Sequence, residues 1–304
     1  MIKSIEVINS SGESLLIELL KPQLSGFLIT KIEGLGPAKA NINLTELTGS
    51  DGSTFNSARL NERNIVISAA LLMEPTIEAV RLKSYKFFPI KKKITLKIET
   101  DTRKVRIDGY VESNEPDIFS ENESIDISII CPNPYFYDDD NSGKQVTVFY
   151  GLDPLFEFPF SNESTSEPLL EFGKIQNYTE QTVYYEGDAD TGVVITMYAI
   201  GEVSNISIYN TLTREEMHLD TAKIETLTGH GIQSGDTITI STVAGDKSVT
   251  LLRDGVYFNV LNCIDKESDW FTITKGDNVF AYTADSGISN LQFRIENDIL
   301  YEGV

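Results

Sequence analysis

Two histidines are the first candidates for catalytic groups, because histidine is the side chain most often used as a general acid or base. His218 follows Arg214-Glu215-Glu216-Met217, and His230 lies between Gly229 and Gly231. Neither belongs to an H-E-x-x-H metal motif, and the sequence contains no G-x-S-x-G nucleophile motif. We therefore predict that both histidines are loop or surface residues and that the chain is not an enzyme, with no catalytic residues.

Carboxylates offer a second chemistry, because paired ones can cleave glycosidic bonds and clustered ones can bind Ca²⁺. The chain has 46 acidic residues, so chance pairs are abundant and no glycosidase pair stands out. Asp138-Asp139-Asp140 and Asp188-Ala189-Asp190 could each help to hold Ca²⁺, but neither continues into an EF-hand pattern. A solvated acidic loop is the favoured interpretation of both, and we predict no metal site and no cofactor.

The sole tryptophan could stack on a sugar ring if it were exposed on a β-sandwich. Trp270, together with Asp269 and Asn278, is the candidate glycan contact. A tryptophan buried at the edge of the core is the favoured alternative.

Two further short runs carry little chemistry. Gly34-Leu35-Gly36-Pro37 does not open a helix after a strand, and its proline favours a turn over a phosphate loop. The basic run Lys91-Lys92-Lys93 is interpreted as a solvated corner, with contact to an acidic partner surface as the alternative.

The cysteine content and the lack of export signals indicate the cellular compartment in which the protein is made. Cys131 and Cys263 are the only cysteines, which excludes a disulfide scaffold and a cysteine-cluster metal site. Residues 1–20 lack the basic start, apolar stretch and cleavage site of a signal peptide. No run approaches the roughly 18 apolar residues of a membrane span. We expect a soluble protein made in a cytosol, without membrane insertion.

Charge is distributed unevenly along the 304 residues, whose net charge is −21. Residues 1–130 hold 16 basic and 18 acidic residues, a net of −2, whereas residues 131–304 hold 9 and 28, a net of −19. Such different surfaces indicate different neighbours for the two halves. The acidic half argues against a phosphate-neutralising nucleic-acid face. The alternative, which stays open, is that the acidic residues only keep the protein soluble.

The first half has the alternating pattern of β-strands. Ile94–Ile98 and Val105–Val111 alternate apolar and polar residues around the turn Asp101–Lys104, which predicts a hairpin with one buried face. One helix is predicted from about Pro75 to Phe88, with Pro75 at its first position and Pro89 after its end. Its predicted inner face comprises Ile77, Val80 or Arg81, Ser84 or Tyr85, and Phe88.

The second half is dense in strand patterns, with no helix of consequence predicted. A domain boundary is placed near Phe136–Asn141, giving domains 1–137 and 138–304. Ala244–Lys247 is predicted to turn between two strands of a hairpin. A β-sandwich of Greek-key or jelly-roll type fits the pattern. The predicted strands are Val193–Tyr198, Asn205–Tyr209, Thr237–Ser241, Ser248–Leu252, Asn278–Thr283 and Leu291–Ile295.

Several strings resemble, in order and spacing, the distal tail (Dit) proteins of long-tailed, non-contractile bacteriophages. In the first half these are Asp51–Phe55, Arg63–Ile67, Tyr85–Pro89, ITLKIETDTRKVRIDGYVES and the closing Ile129–Tyr137. In the second half Gly235–Ile240, Ser268–Ile273 and Lys275–Tyr282 are similar to the C-terminal domain of siphophage tail proteins. The region 138–192 does not align with family strands.

The resemblance implies an all-β fold of two domains. Residues 1–137 would be a β-sandwich with one short helix that forms a homo-hexameric ring on the tail tube, with DNA passing through its lumen. Residues 138–304 would be an acidic, galectin-like β-sandwich that docks receptor-binding, baseplate or tail-fibre hub proteins. The expected location is the virion tail tip, after assembly in the bacterial cytoplasm. The resemblance carries no catalytic residues.

Two other functions stay open at this stage. A carbohydrate-binding module that contacts host cell-wall glycans through Trp270, Asp269 and Asn278 is the second interpretation. A glycosidase is the third interpretation, and it ranks last because no carboxylate pair stands out. A tail-derived particle in place of a phage is also compatible with the sequence.

Overall fold

Alternating residues form most of the strands, because successive side chains of a strand point to opposite faces. Buried and less buried residues alternate along Arg63–Leu71 and along Leu291–Asp298. The computed structural model describes residues 1–49, 51–73, 76–120, 123–140, 143–154 and 173–304. These form two compact units, one of residues 1–143 with 300–304 and one of residues 144–299.

The first unit is built on one antiparallel sheet and a separate hairpin. The sheet order is β2-β1-β7-β8-β9-β6-β3, with β10 pairing to β8 and to β25, while β4 and β5 pair only with each other. Its strands are β1 (Ser4–Ile8), β2 (Ser14–Glu18), β3 (Phe27–Glu33), β4 (Ala40–Glu46), β5 (Ser53–Leu60), β6 (Arg63–Leu71), β7 (Lys93–Glu99), β8 (Lys104–Pro116), β9 (Ser124–Cys131), β10 (Phe136–Asp138) and β25 (Leu300–Tyr301).

The core of this unit is aliphatic. Helix α1 (Pro22–Ser25) connects β2 to β3, the two ends of the sheet order, and contacts both strands. Each inward Ile, Val or Leu removes apolar surface from water and stabilises the fold by about 1.5–3 kcal/mol. Central members are Val7, Ile65, Val105 and Ile129, all fully buried.

The predicted hairpin and helix of the first half are both present. Strands β7 and β8 pair in antiparallel register around residues 100–103. Helix α2 (Ile77–Phe87) is capped by Thr76, whose side chain accepts a hydrogen bond from the Ala79 amide at 3.2 Å. Its buried face is Val80, Ser84 and Phe87, and Phe88 follows as a buried cap residue. Pro75, predicted as the first helical residue, lies outside the described residues.

The second unit is a sandwich of two antiparallel sheets, ordered β11-β24-β16-β19-β20-β21 and β14-β23-β17-β18. Rings from both sheets meet in its core, where Tyr282 of β23 stacks on Phe293 of β24 at 4.7 Å and Phe149 lies 4.8 Å from Phe293. Its strands are β11 (Lys144–Val148), β12 (Tyr150–Pro154), β13 (Gly173–Asn177), β14 (Glu180–Tyr185), β15 (Thr191–Gly192), β16 (Val194–Ala199), β17 (Ser204–Asn210), β18 (Glu215–Leu219), β19 (Thr237–Ser241), β20 (Ser248–Arg253), β21 (Val256–Asn259), β22 (Thr272–Ile273), β23 (Gly276–Ser286) and β24 (Leu291–Asp298).

One prediction for the second half is wrong, because it contains a helix. Helix α3 (Thr221–Thr228) begins at Asp220, whose carboxylate accepts hydrogen bonds from the amides of Ala222 and Lys223, and ends at the left-handed Gly229. The helix has eight residues, of which only Thr221 and Ile224 are buried. So short a segment carries no helical stripe long enough to recognise in the sequence.

The unit boundary differs from the predicted division into 1–137 and 138–304. The first unit continues to Gly143, because the Asp139 amide donates to the Lys104 carbonyl and its carboxylate binds Lys97 at 2.8 Å. Residues 300–304 return to the first unit, where β25 pairs with β10. The chain therefore passes twice between the units. Asn141, at the end of the predicted boundary, lies outside the described residues.

Candidate interaction surfaces

The hairpin of β4 and β5 has an unusually exposed pair of strands. All of its residues are exposed except Leu60, which is partly exposed. Among them are three large apolar side chains, Ile42, Leu44 and Phe55, which are 55%, 54% and 62% exposed. Residues of this type are normally covered when they lie in a sheet.

Pairing sorts the side chains of the hairpin into two faces, because residues directly opposite in a sheet share a face. Ile42 faces Ala58 and Leu44 faces Phe55, which makes one face apolar. Asn43 faces Ser57 and Thr45 faces Thr54, which makes the other polar. We call the two the apolar face and the polar face of the hairpin. The apolar face has the pattern of a strand pair that packs on a core, yet its side chains are exposed in the part of the chain that the structure describes.

An isolated two-stranded hairpin is marginally stable in water. Contiguous exposed apolar surface on a soluble protein marks an interaction site. Covering Leu44 and Phe55 would stabilise an interface by about 1.5–3 kcal/mol for each side chain. The hairpin is therefore a candidate for contact with another protein surface.

Arg63 fixes the root of this hairpin, where β5 leads into β6. It is 3% exposed, and among the described residues its guanidinium donates to four backbone carbonyls. Nε donates to Pro134 at 2.6 Å, Nη1 to Gly34 and Gly36, and Nη2 to Glu302 at 2.7 Å. Burial lowers the pKa of Arg63 below its usual value, although an arginine stays charged at any physiological pH.

The other root of the hairpin is the Gly34–Pro37 turn, as its sequence predicted. Gly34 has φ of +81°, and a Cβ there would lie 2.1 Å from the Asn64 carbonyl oxygen. Only glycine fits so close an approach. A cleft of about 690 Å³ opens beside this turn, lined by residues that include Lys39, Asn61 and Glu62.

A second buried arginine organises the loop after α3 in the second unit. Arg253 Nε donates to Asp236 Oδ1 at 2.8 Å, and the two side chains are 8% and 2% exposed. The guanidinium also donates to Thr228 Oγ1 at 3.0 Å and to the Gly231 carbonyl at 2.6 Å. The pair thereby ties the end of α3 and the following loop to β20.

His218, predicted to be a loop or surface residue, is partly exposed on β18, opposite Ser207 of β17. Its Nδ1 is 2.9 Å from Ser207 Oγ, and its Nε2 is 4.0 Å from Asp265 Oδ2. The residue types are those of a hydrolase triad, but Asp265 is held by Lys223 at 2.8 Å and Ser207 is only 8% exposed. A catalytic serine must reach its substrate, so we assign the cluster to packing. His230 is exposed in a bend, as predicted.

The three candidate glycan residues have different surroundings. Trp270 is partly exposed, with the Lys247 ammonium 5.1 Å from its ring centroid. Asp269 is exposed, and its carboxylate accepts a hydrogen bond from the Glu216 amide at 3.2 Å. Asn278 is 3% exposed, and its amide nitrogen donates to the Thr274 carbonyl at 2.8 Å. A sugar could therefore contact Trp270 and Asp269 but not Asn278, and glycan binding stays a prediction.

The acidic and basic runs are partly used in ion pairs. Asp139 contacts Lys97 at 2.8 Å, Asp188 contacts Lys275 at 2.9 Å, and Lys93 contacts Asp108 at 2.9 Å. Over the part of the chain that the structure describes, no group of three or more His, Cys, Asp or Glu side chains is placed to hold a metal ion. Within the same residues, no helix has the length and apolar character needed to cross a membrane.

Both cysteines are free and buried. Burial raises the pKa of the Cys131 thiol to about 12, and it also raises the pKa of Cys263. Protonated thiols are poor nucleophiles and poor metal ligands. Neither cysteine is suited to covalent or redox chemistry in the folded protein.

Comparison with known protein families addresses the second unit directly. The family model of the siphovirus-type tail component, C-terminal domain, matches residues 186–296. Residues 186–296 of the second unit are therefore similar to a siphovirus tail component. A search of curated proteins finds no match.

Solved structures extend the likeness to both units. The Dit protein of phage SPP1, described as a paradigm of the hub adsorption apparatus in phages that infect Gram-positive bacteria, has a TM-score of 0.63 at 10% identity. The match covers 97% of this chain and 98% of that one. This shared fold and the domain match confirm the resemblance to the distal tail family.

Two phage p2 baseplate structures, in the activated conformation with Sr and with Ca, are also similar. Each has a TM-score of 0.42, at 11% and 10% identity. The alignments cover 97% and 98% of this chain, and 98% and 99% of the other chains.

Proposed function

We propose that the chain is the structural hub of a phage tail tip. Its first unit forms a homo-hexameric ring that joins the tail tube to the adhesion device, and DNA passes through the lumen. Its second unit, galectin-like, docks receptor-binding, baseplate or tail-fibre hub proteins. The role is assembly and not catalysis, and it places the protein at the virion tail tip, where host attachment takes place.

The observation that carries this proposal is the uncovered apolar face of the β4–β5 hairpin. A closed ring needs a heterologous contact, in which one patch of each copy covers a different patch of the next. A projecting strand pair with one apolar face suits such a contact. The near-neutral charge of the first half, −2 over residues 1–130, leaves little repulsion between neighbouring first units.

The strong charge of the second half agrees with an outward position. Residues 131–304 carry −19 per copy, so six copies packed tightly together would repel one another. Placed outside a ring, they are separated by distances over which salt screens the repulsion, about 10 Å at 0.1 M. The tail-component match to residues 186–296 supports assignment of this half to a phage tail.

Charge substitutions on the two faces of the hairpin test the proposal. We expect Leu44→Lys and Phe55→Lys to raise the concentration for half-assembly by at least about tenfold each, because a charge replaces a buried apolar contact. The matched controls are Asn43→Lys and Ser57→Lys, which add the same charge to the polar face. Sedimentation velocity of the full chain over a range of concentrations measures the effect. Equal effects of the two pairs, or a monomeric parent protein, would contradict the proposal.

A further inference from the structure

Residues 300–304 and Arg63 together hold the root of the β4–β5 hairpin, although they are far apart in the sequence. We propose that they form a clamp that sets the position of the hairpin, so that the first unit becomes competent for assembly only when the end of the described chain has docked. This inference rests on the proposed role of the hairpin in assembly.

The clamp contacts both roots of the hairpin. Arg63 is the first residue of β6 and so belongs to one root, and its Nη1 donates to the carbonyls of Gly34 and Gly36 in the other. The same guanidinium donates to the Glu302 carbonyl at 2.7 Å. One buried cation therefore links the two roots to the returning segment.

The returning segment also contacts the turn directly. The Val304 amide donates to the Leu35 carbonyl at 3.0 Å. A Cβ at Gly303 would lie 3.2 Å from the Leu35 oxygen and 3.3 Å from Pro37, so the two backbones are packed closely. Strand β25 holds this segment in place through its pairing with β10, and Phe136 of β10 lies beneath the Arg63 guanidinium at 4.6 Å.

The chemistry of Arg63 makes the clamp specific for arginine and for the docked segment. Its planar fork has five N–H donors, which reach four carbonyls in different directions. Its hydrogen-bond acceptors in the described residues are backbone carbonyls, one of them from Glu302, and the Glu302 carboxylate also favours the charged guanidinium. Without residues 300–304, the guanidinium would lose a carbonyl and become exposed to water.

The order of synthesis gives the clamp its consequence. Residues 300–304 follow the whole second unit in the chain, so they dock on the first unit only after residues 144–299 have been made. A hairpin that is fixed at that point would delay ring formation until both units are present. The device would thereby prevent assembly of copies that lack the docking unit.

The test compares Arg63→Lys and a deletion of residues 300–304 with the full chain, at concentrations where each is monomeric. We expect trypsin to cleave after Lys39, in the hairpin root, at least about fivefold faster in both variants, because the root opens more often. In Arg63→Lys the Val304 amide should also exchange its hydrogen faster. In both variants, half-assembly should require a protein concentration at least about fivefold higher than for the full chain. Arg59→Lys, an exposed position on the same hairpin, is the matched control and should leave all three measurements unchanged.

Trp270, the only tryptophan, lies in the second unit and reports whether that unit stays folded in each variant. Unchanged cleavage after Lys39 in the deletion variant would overturn the clamp, even if Arg63→Lys proved too unstable to purify. A parent protein that stays monomeric would contradict the proposed function instead. In that case the rate of cleavage after Lys39 and the rate of hydrogen exchange at the Val304 amide would still show whether the clamp holds the hairpin root.

Discussion

Two buried arginines show how single residues fix the position of the loops around them. Arg63 is surrounded by carbonyls and contributes to the root of the hairpin. Arg253 is neutralised by Asp236, and this hydrogen-bonded carboxylate raises the pKa of Arg253. Both side chains hold loops through hydrogen bonds to backbone carbonyls. Removing a partner of either leaves a buried charge uncompensated, which costs more than losing a surface ion pair.

The Arg253–Asp236 pair gives a prediction at this scale. Asp236→Asn removes the negative charge but keeps the shape, and we expect it to destabilise the second unit by on the order of 3 kcal/mol. Urea unfolding followed by Trp270 fluorescence measures the change. Asp246→Asn, in the exposed turn between β19 and β20, removes the same charge and should alter stability by less than about 0.5 kcal/mol. Equal effects of the two substitutions would refute the role of the pair.

Helix α3 shows what a short element needs at its ends. Partial burial raises the pKa of Asp220, but hydrogen bonds from Lys223 and Ala222 outweigh it, and the pKa lies below its ordinary value of 3.8. The folded state thus favours the ionised carboxylate. Its contribution to stability is present above the unfolded pKa and is lost as the pH falls through the lower folded pKa.

This cap gives a prediction with a pH dependence. Asp220→Ala should destabilise the second unit by about 1 kcal/mol at pH 7, because two helix amides lose their acceptor. Calorimetry at several pH values should show the difference between the two proteins shrinking below about pH 4. Thr226→Ala, within the same helix, is the contrasting control and should be neutral or slightly stabilising. A difference that stays constant down to pH 2 would exclude the ionised cap.

Much of the strand architecture follows from sequence patterns, and the reasons for the misses are physical. Alternation over Ile94–Ile98 and Val105–Val111 predicted a true hairpin, because a half-buried strand must alternate. Strands β4 and β5 have the same alternating pattern, which does not reveal that their apolar face is exposed. A strand face that packs on another protein has the same residue types as a face that packs on the core of its own chain. The partners of Arg63 are backbone carbonyls, which leave no pattern in residue types. The return of residues 300–304 depends on a pairing across more than 160 positions of the chain.

At the scale of the whole molecule, the two units have different surfaces and are joined by two passages of the chain. The first half is nearly neutral and carries the hairpin with the uncovered apolar face. The second half is strongly acidic and contains the region similar to a siphovirus tail component. If the first unit drives assembly and the second extends outward, association should weaken when repulsion between the acidic halves is unscreened, at salt of about 0.01 M.

Electron microscopy of the purified full chain, in buffer of about 0.15 M salt, shows directly whether the protein forms a ring. We expect closed six-fold rings with a central opening, of about 203 kDa for six chains of 33.8 kDa. We also expect Phe55→Lys to abolish these rings and Ser57→Lys to preserve them. A specific interface of standard size is formed at tens of micromolar protein. Uniform monomers of the parent protein at that concentration would therefore contradict the proposed ring.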